Sequence, residues 1–159
     1  MGEHAYSVEV QSDFLEKITR AKPVSALAEL VWNSLDADAR KVEVFLVQNA
    51  LGAMSSIVVS DNGTGLEYAK APEFFQRLGG SWKRPGGTTQ KDGRFLHGQD
   101  GRGRFKVFAL GRVAEWKVTY RHAEGRRSFS VTMTATDMKK VVISDEAHED
   151  HAGGLPARH

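Results

Sequence analysis

Glu29-Leu30-Val31-Trp32-Asn33-Ser34-Leu35-Asp36-Ala37 decides how this chain is read, because it sets a carboxylate, an amide and a second carboxylate among residues of core type. In a helix, Glu29 and Asn33 stand one turn apart and Asp36 follows three residues later, so the three side chains converge on one point. A buried polar group without a partner costs about 1–3 kcal/mol. Such a face is built to meet a ligand, a metal ion or water. The helix is signalled by Pro23, suited to a first helical position, and by Val24, Leu27, Val31 and Leu35 at helical spacing. Its end is expected near Ala39. Trp32, and Phe105 further on, read as core residues at helical positions.

Working outward, Tyr6 to Val10 predicts a short strand, and Ser12 is a suitable N-cap for a helix over Asp13 to Arg20. Downstream, Val42 to Val47 and Ser56 to Ser60 predict a hairpin around a turn holding Asn49 and Gly52. Asp61-Asn62-Gly63-Thr64-Gly65 ends the second strand, and a helical pattern runs from Glu67 to Leu78. Nine of the 16 glycines then fall between Gly79 and Gly111. A long glycine-rich segment inside a domain commonly serves as a functional lid. Helical character returns over Arg104 to Leu110. Val113 to Arg121, Arg127 to Ala135 and Lys139 to Ser144 predict three strands, the first two joined by a turn at His122 to Arg126. This order predicts an α+β fold, a two-layer α/β sandwich with helices on one face of a mixed, mostly antiparallel sheet.

The 159 residues make one domain's worth of chain, and 40% apolar with 26% charged residues is a globular composition. A net charge of +2 is too small to argue for nucleic acid by itself. The absence of cysteine excludes a disulfide scaffold and a thiolate zinc site, and fits a reducing compartment. No apolar run approaches the roughly 20 residues needed to span a bilayer, and no signal segment opens the chain. The expectation is a soluble cytoplasmic domain without a membrane partner.

Two further clusters join the Glu29, Asn33, Asp36 face. In Asp61-x-Gly63-x-Gly65, at a strand end, the aspartate can accept from an exocyclic amine or amide while the glycines let a ring lie against the backbone. In Gly98-Gln99-Asp100-Gly101-Arg102-Gly103, a glycine-rich turn enters a helix, exposing N–H groups and the positive helix end to an anion. Together they fit a nucleotide with its base on Asp61 and its phosphates against Gly98 to Gly103. Asn33 is then placed to hold Mg²⁺ through its carbonyl oxygen, and Glu29 to orient or deprotonate a water in line with the terminal phosphate. The loop before Gly98 would close over the nucleotide and supplies Lys83, Arg84, Lys91 and Arg94 as candidate phosphate partners.

Taken in order, Glu29-x-x-x-Asn33-x-x-Asp36-Ala37, Asp61-x-Gly63-x-Gly65 and Gly98-x-x-Gly101-x-Gly103 resemble the GHKL superfamily of ATPases, which includes the ATPase component of DNA gyrase, the ninety-kilodalton heat-shock chaperone, sensor histidine kinases and MutL-type mismatch-repair proteins. The resemblance spans about residues 20 to 111. It implies the Bergerat ATP-binding fold, with Glu29 as catalytic base, Asn33 as magnesium ligand, Asp61 on the adenine amine and Gly98 to Gly103, with Gln99 and Arg102, at the hinge of an ATP lid over residues 79–103. Asp36-Ala37 is closer to the chaperone and mismatch-repair branches than to the histidine kinases, and Asp36 is a candidate nucleotide-binding residue, touching the nucleotide or supporting the site from behind. Gly80-Ser81-Trp82-Lys83 is similar to the lid entry of mismatch-repair and microrchidia-type members, which marks Lys83 as a nucleotide contact.

One departure stands out. Members of the superfamily close this domain with a strand opening in Gly-Thr, and no such pair follows residue 111. The resemblance therefore implies that residues 1–159 are the N-terminal part of a larger protein, cut before the last strand, with slow or absent hydrolysis in isolation and an ATP-driven change of shape or homodimerisation in the whole. The competing readings are a module that senses ATP or ADP without turnover, and a nucleic-acid-binding domain using the basic lid. Asp145-Glu146-Ala147-His148 spells a helicase box, but no Gly-x-x-x-x-Gly-Lys-Ser/Thr precedes it to hold phosphates, so it reads as chance.

Overall fold

The computed structural model describes residues 2–7, 22–76 and 106–149. Strand β1 spans Glu3–Ser7, helix α1 Pro23–Asp36, β2 Val42–Gln48, β3 Met54–Asp61, helix α2 Ala71–Gln76, β4 Val113–His122, β5 Gly125–Thr134, β6 Asp137–Ser144 and β7 Ala147–His148. Single 3₁₀ turns lie at Tyr68–Lys70 and Val107–Ala109. The larger sheet has the order β1-β6-β5-β4, with β7 also pairing β5, and the β2-β3 hairpin forms a sheet of its own. Every ladder among the described residues is antiparallel. The α+β architecture with mostly antiparallel pairing is as expected, and among the described residues the strands form two antiparallel sheets.

The core follows from strand alternation. Phe129, Val131 and Met133 of β5 and Val141 and Ile143 of β6 point to one face and are buried. Helix α2 covers that face with Ala71 and Phe75, one turn apart, and Phe75 meets Trp116 of β4 edge-on at 5.1 Å between ring centroids. The helical pattern expected over Glu67 to Leu78 is divided in two near Pro72, whose missing N–H suits only a first helical turn. At the other end of the sheet β4 and β5 stay paired as far as His122 and Gly125, so their turn is only two residues long.

Helix α1 opens with Pro23 in its first turn, as read from the sequence. It closes on a left-handed residue, Asp38 at φ 61°, with Asp38 N–H donating to Leu35 O and Ala39 N–H to Ser34 O, both at 3.1 Å. This pair of bonds is the Schellman arrangement, and it satisfies carbonyls that the helix end would leave open. The helix lies against the hairpin and the 3₁₀ turn at 107–109. Its buried residues are Ala26, Ser34 and Asp36, whereas Val24 is 80% and Trp32 41% exposed. Trp32 is therefore not the core residue that its spacing predicts, because α1 turns a small and polar face inward. No described helix is long and apolar enough to cross a membrane. The helix expected over Asp13 to Arg20, the strand residues Val8 to Val10 and Phe105 lie outside the described residues.

Candidate functional site

The site is assembled where α1, the end of β3 and the start of the 107–109 turn come together. Asp61 is the last residue of β3, and two donors fix its carboxylate. The Ser34 hydroxyl donates to Oδ2 at 2.8 Å and the Gly63 N–H to Oδ1 at 2.8 Å. The same hydroxyl also lies 3.2 Å from Leu30 O, the longer of its two options. An ionised carboxylate has about four acceptor positions. Asp61 is exposed, so a lone pair on each oxygen stays open to an incoming amine while the orientation is already set.

The loop after Asp61 is tied to the backbone of the segment that follows α1. Asn62 Oδ1 accepts from Arg40 N–H at 2.8 Å and Lys41 N–H at 2.9 Å, and Thr64 N–H donates to Ala37 O at 2.7 Å. A Cβ built on Gly63 would stand 2.5 Å from Ala37 O. Gly65 has φ 72°, and a Cβ there would run into the Thr119 carbonyl oxygen of β4. Both glycines are thus demanded by the packing of the chain on itself, in addition to any approach by a ligand.

Glu29 and Asn33 stand one turn apart on α1, both partly buried, and Asp36 is buried at 4% exposure where the helix ends. Glu29 Oε1 accepts from Lys106 Nζ at 3.0 Å, an ion pair with both side chains at least two-thirds buried. Lys83, Gly98, Gln99, Gly101, Arg102 and Gly103 lie outside the described residues. The structure therefore brings Glu29, Asn33, Asp36, Asp61, Gly63 and Gly65 into one region, joined by Ser34 and Lys106. The sequence reading missed these last two. Neither carried a signal: Ser34 points about 100° round the helix from Asn33, and Lys106 is 77 positions from its partner.

The candidate magnesium ligand is the Asn33 side-chain carbonyl, an oxygen donor of the kind a hard cation takes. No group of three or more histidine, cysteine, aspartate or glutamate side chains able to hold a metal occurs among the described residues. Mg²⁺ ordinarily keeps several waters and is bound by one or two carboxylates together with substrate phosphates. Asn33 offers an amide carbonyl in place of a carboxylate, so phosphate and water would supply the remaining ligands. A shallow cavity of about 300 Å³ between β1 and β6, lined by Tyr6, Asp137, Lys139 and Lys140 among others, contains none of the candidate residues.

Asp145 and Glu146 have structural roles. Glu146 accepts from the Tyr120 hydroxyl and from Arg127 Nη1, the latter at 2.6 Å. Asp145 accepts from Gly2 N–H at 2.6 Å and pairs with His4 Nε2 at 2.8 Å. The Gly2 N–H first, and then His4, hold the Asp145 carboxyl below the usual carboxylate range. Burial and the nearby Asp145 charge push the Tyr68 hydroxyl up.

With this geometry in view, comparison with known proteins is informative. Residues 21–152 match the family described as histidine kinase-, DNA gyrase B- and HSP90-like ATPases. The DNA mismatch repair protein MutL of Phenylobacterium zucineum is 39% identical over 71 residues, covering 45% of this chain and 11% of its own. MutL of Caulobacter vibrioides is 28% identical over 120 residues, covering 76% of this chain and 18% of its own. A Herpetosiphon aurantiacus protein provisionally assigned as the type II restriction enzyme HgiDII is 33% identical over 87 residues, covering 55% and 13%. The chain thus spans less than a fifth of the length of each of these relatives.

Proposed function

The chain belongs to the histidine kinase-, DNA gyrase B- and HSP90-like ATPases, and on that premise we propose that it binds ATP with magnesium and hydrolyses it as one domain of a larger protein. The family is one of ATP-binding and ATP-hydrolysing domains, with the MutL-type proteins as this chain's branch. In the proposed site Asp61 accepts the adenine amine, Asn33 gives its carbonyl oxygen to magnesium, and the Gly98 to Gly103 segment receives the phosphates. Lys83 is a further phosphate partner, and Asp36 supports the helix end from behind. Glu29 takes a proton from the water that attacks the terminal phosphate. Magnesium, when bound, neutralises phosphate charge and so lowers the cost of bringing the nucleophile in.

The observation that carries this reading is the Asp61 carboxylate, held by Ser34 and Gly63 N–H and still open to a further donor. A carboxylate oriented in advance by neutral donors is a selective acceptor, because a base lacking an amine at that place leaves it unpaired. A change of shape or a homodimer driven by ATP is the corresponding proposal for the whole protein. Titration calorimetry with ATP, ADP and GTP, each with and without Mg²⁺, tests the assignment. Binding of ATP and ADP in preference to GTP, strengthened by Mg²⁺ for ATP, is expected; equal binding of GTP, or none of ATP, would remove it.

A further inference from the structure

The Glu29–Lys106 pair sets a condition on the reaction proposed above. Lys106 sits immediately before the 3₁₀ turn Val107–Ala109, and that turn packs against both α1 and β4. Its backbone is therefore fixed, and the moving part is a flexible four-carbon stem carrying a compact positive charge. That charge lies 3.0 Å from Glu29 Oε1, in a setting where the side chains are 33% and 27% exposed. The ammonium occupies Oε1 of Glu29, so that oxygen is closed to another donor while the pair holds. For Oε1 of Glu29 to receive the proton of the attacking water, the ammonium has to move to another partner once the nucleotide is in place.

The terminal phosphate is that partner. On the reading in which Glu29 faces the attacking water, this phosphate lies next to Glu29 and hence within one side-chain swing of Lys106. It carries more negative charge than the carboxylate, and ATP brings it where ADP does not. We propose that Lys106 is an exchanging cation: it pairs with Glu29 in the nucleotide-free site and transfers to the terminal phosphate oxygens of ATP, releasing Glu29. Resting on the ATP assignment, this gives the chain a way to keep its base engaged until a triphosphate arrives. Lys106 is then a phosphate contact in the loaded state and a positioning residue for Glu29 in the empty one.

Calorimetric titration of Lys106→Ala and Lys106→Arg with MgATP and with MgADP tests the exchange. Lys106→Ala is expected to weaken MgATP binding about tenfold or more, as for the loss of a charge-assisted hydrogen bond, and to leave MgADP within about twofold; Lys106→Arg, which keeps the charge, recovers most of the lost ATP affinity. If Lys106→Ala binds ATP as tightly as the unaltered chain, or loses ATP and ADP to the same degree, the exchange is overturned and the ATP assignment stands. Failure of the unaltered chain to bind either nucleotide would overturn both.

Discussion

The usefulness of Asp61 depends on its neighbours. A free carboxylate at a strand end would rotate, and a rotating acceptor discriminates poorly between donors. Ser34 and the Gly63 N–H remove that freedom from opposite oxygens, at 2.8 Å each. Ser34→Ala should therefore weaken ATP binding by about threefold to tenfold, roughly the worth of one hydrogen bond to a charged group after water replaces part of it. Ser34→Thr should retain most of the affinity, and equal affinities for Ser34→Ala and the unaltered chain, measured by titration, would remove the orienting role. At this scale the sequence was legible wherever chemistry shows as spacing. Glu29, Asn33 and Asp61 are marked by polar atoms where helix and strand patterns call for apolar ones or for a turn. Lys106 was not legible, because an ion pair between a helix and a segment 77 residues away exists only after the chain has folded. The glycines were read for a ligand's approach, and the structure adds the carbonyls of Ala37 and Thr119 as what each must avoid.

Among the elements, α1 departs furthest from its pattern. Its apolar spacing predicts a stripe of Val24, Leu27, Val31 and Leu35 toward the core, yet Ala26, Ser34 and Asp36 are the residues buried, because the helix packs beside a hairpin and a site. The hairpin is apolar on both of its faces, with Phe45 and Leu46 each at least half exposed, so its alternation could not reveal which side would be covered. The larger sheet was easier to read, since β4, β5 and β6 follow one another in sequence and pair in that order. Its far edge is fastened by Asp145, which joins the end of β6 to β1 through Gly2 N–H and His4. A carboxyl whose pKa is lowered on folding adds stability above its unfolded value, about 4, and loses it as pH falls through the lowered folded value. Asp145→Asn should accordingly lower the melting temperature at pH 7, and the gap to the unaltered chain should close below the folded pKa of Asp145. A gap that stays unchanged as the pH is lowered until the Asp145 carboxyl is protonated in the folded chain would show that the ionised carboxylate is not the fastening.

For the molecule as a whole, the architecture joins two functions by placing them on different sheets. The β1-β6-β5-β4 sheet with α2 carries the core, and the hairpin with α1 carries the polar residues of the candidate site; Gly65, pressed on the Thr119 carbonyl, ties the two together. Fold class and family were legible because three short motifs occur in a fixed order, and order along a chain survives where individual residues drift. The division into two sheets was not, because pairing between strands is decided by edges that a single sequence does not display. The central claim is that Asp61 reads the base of ATP, and it is tested most directly by titrating the unaltered chain and Asp61→Asn with MgATP. The change conserves size, exchanges one acceptor oxygen for a donor and removes the charge. Saturable binding by the unaltered chain that is lost in Asp61→Asn is the predicted result, and equal ATP affinity in the two would contradict it.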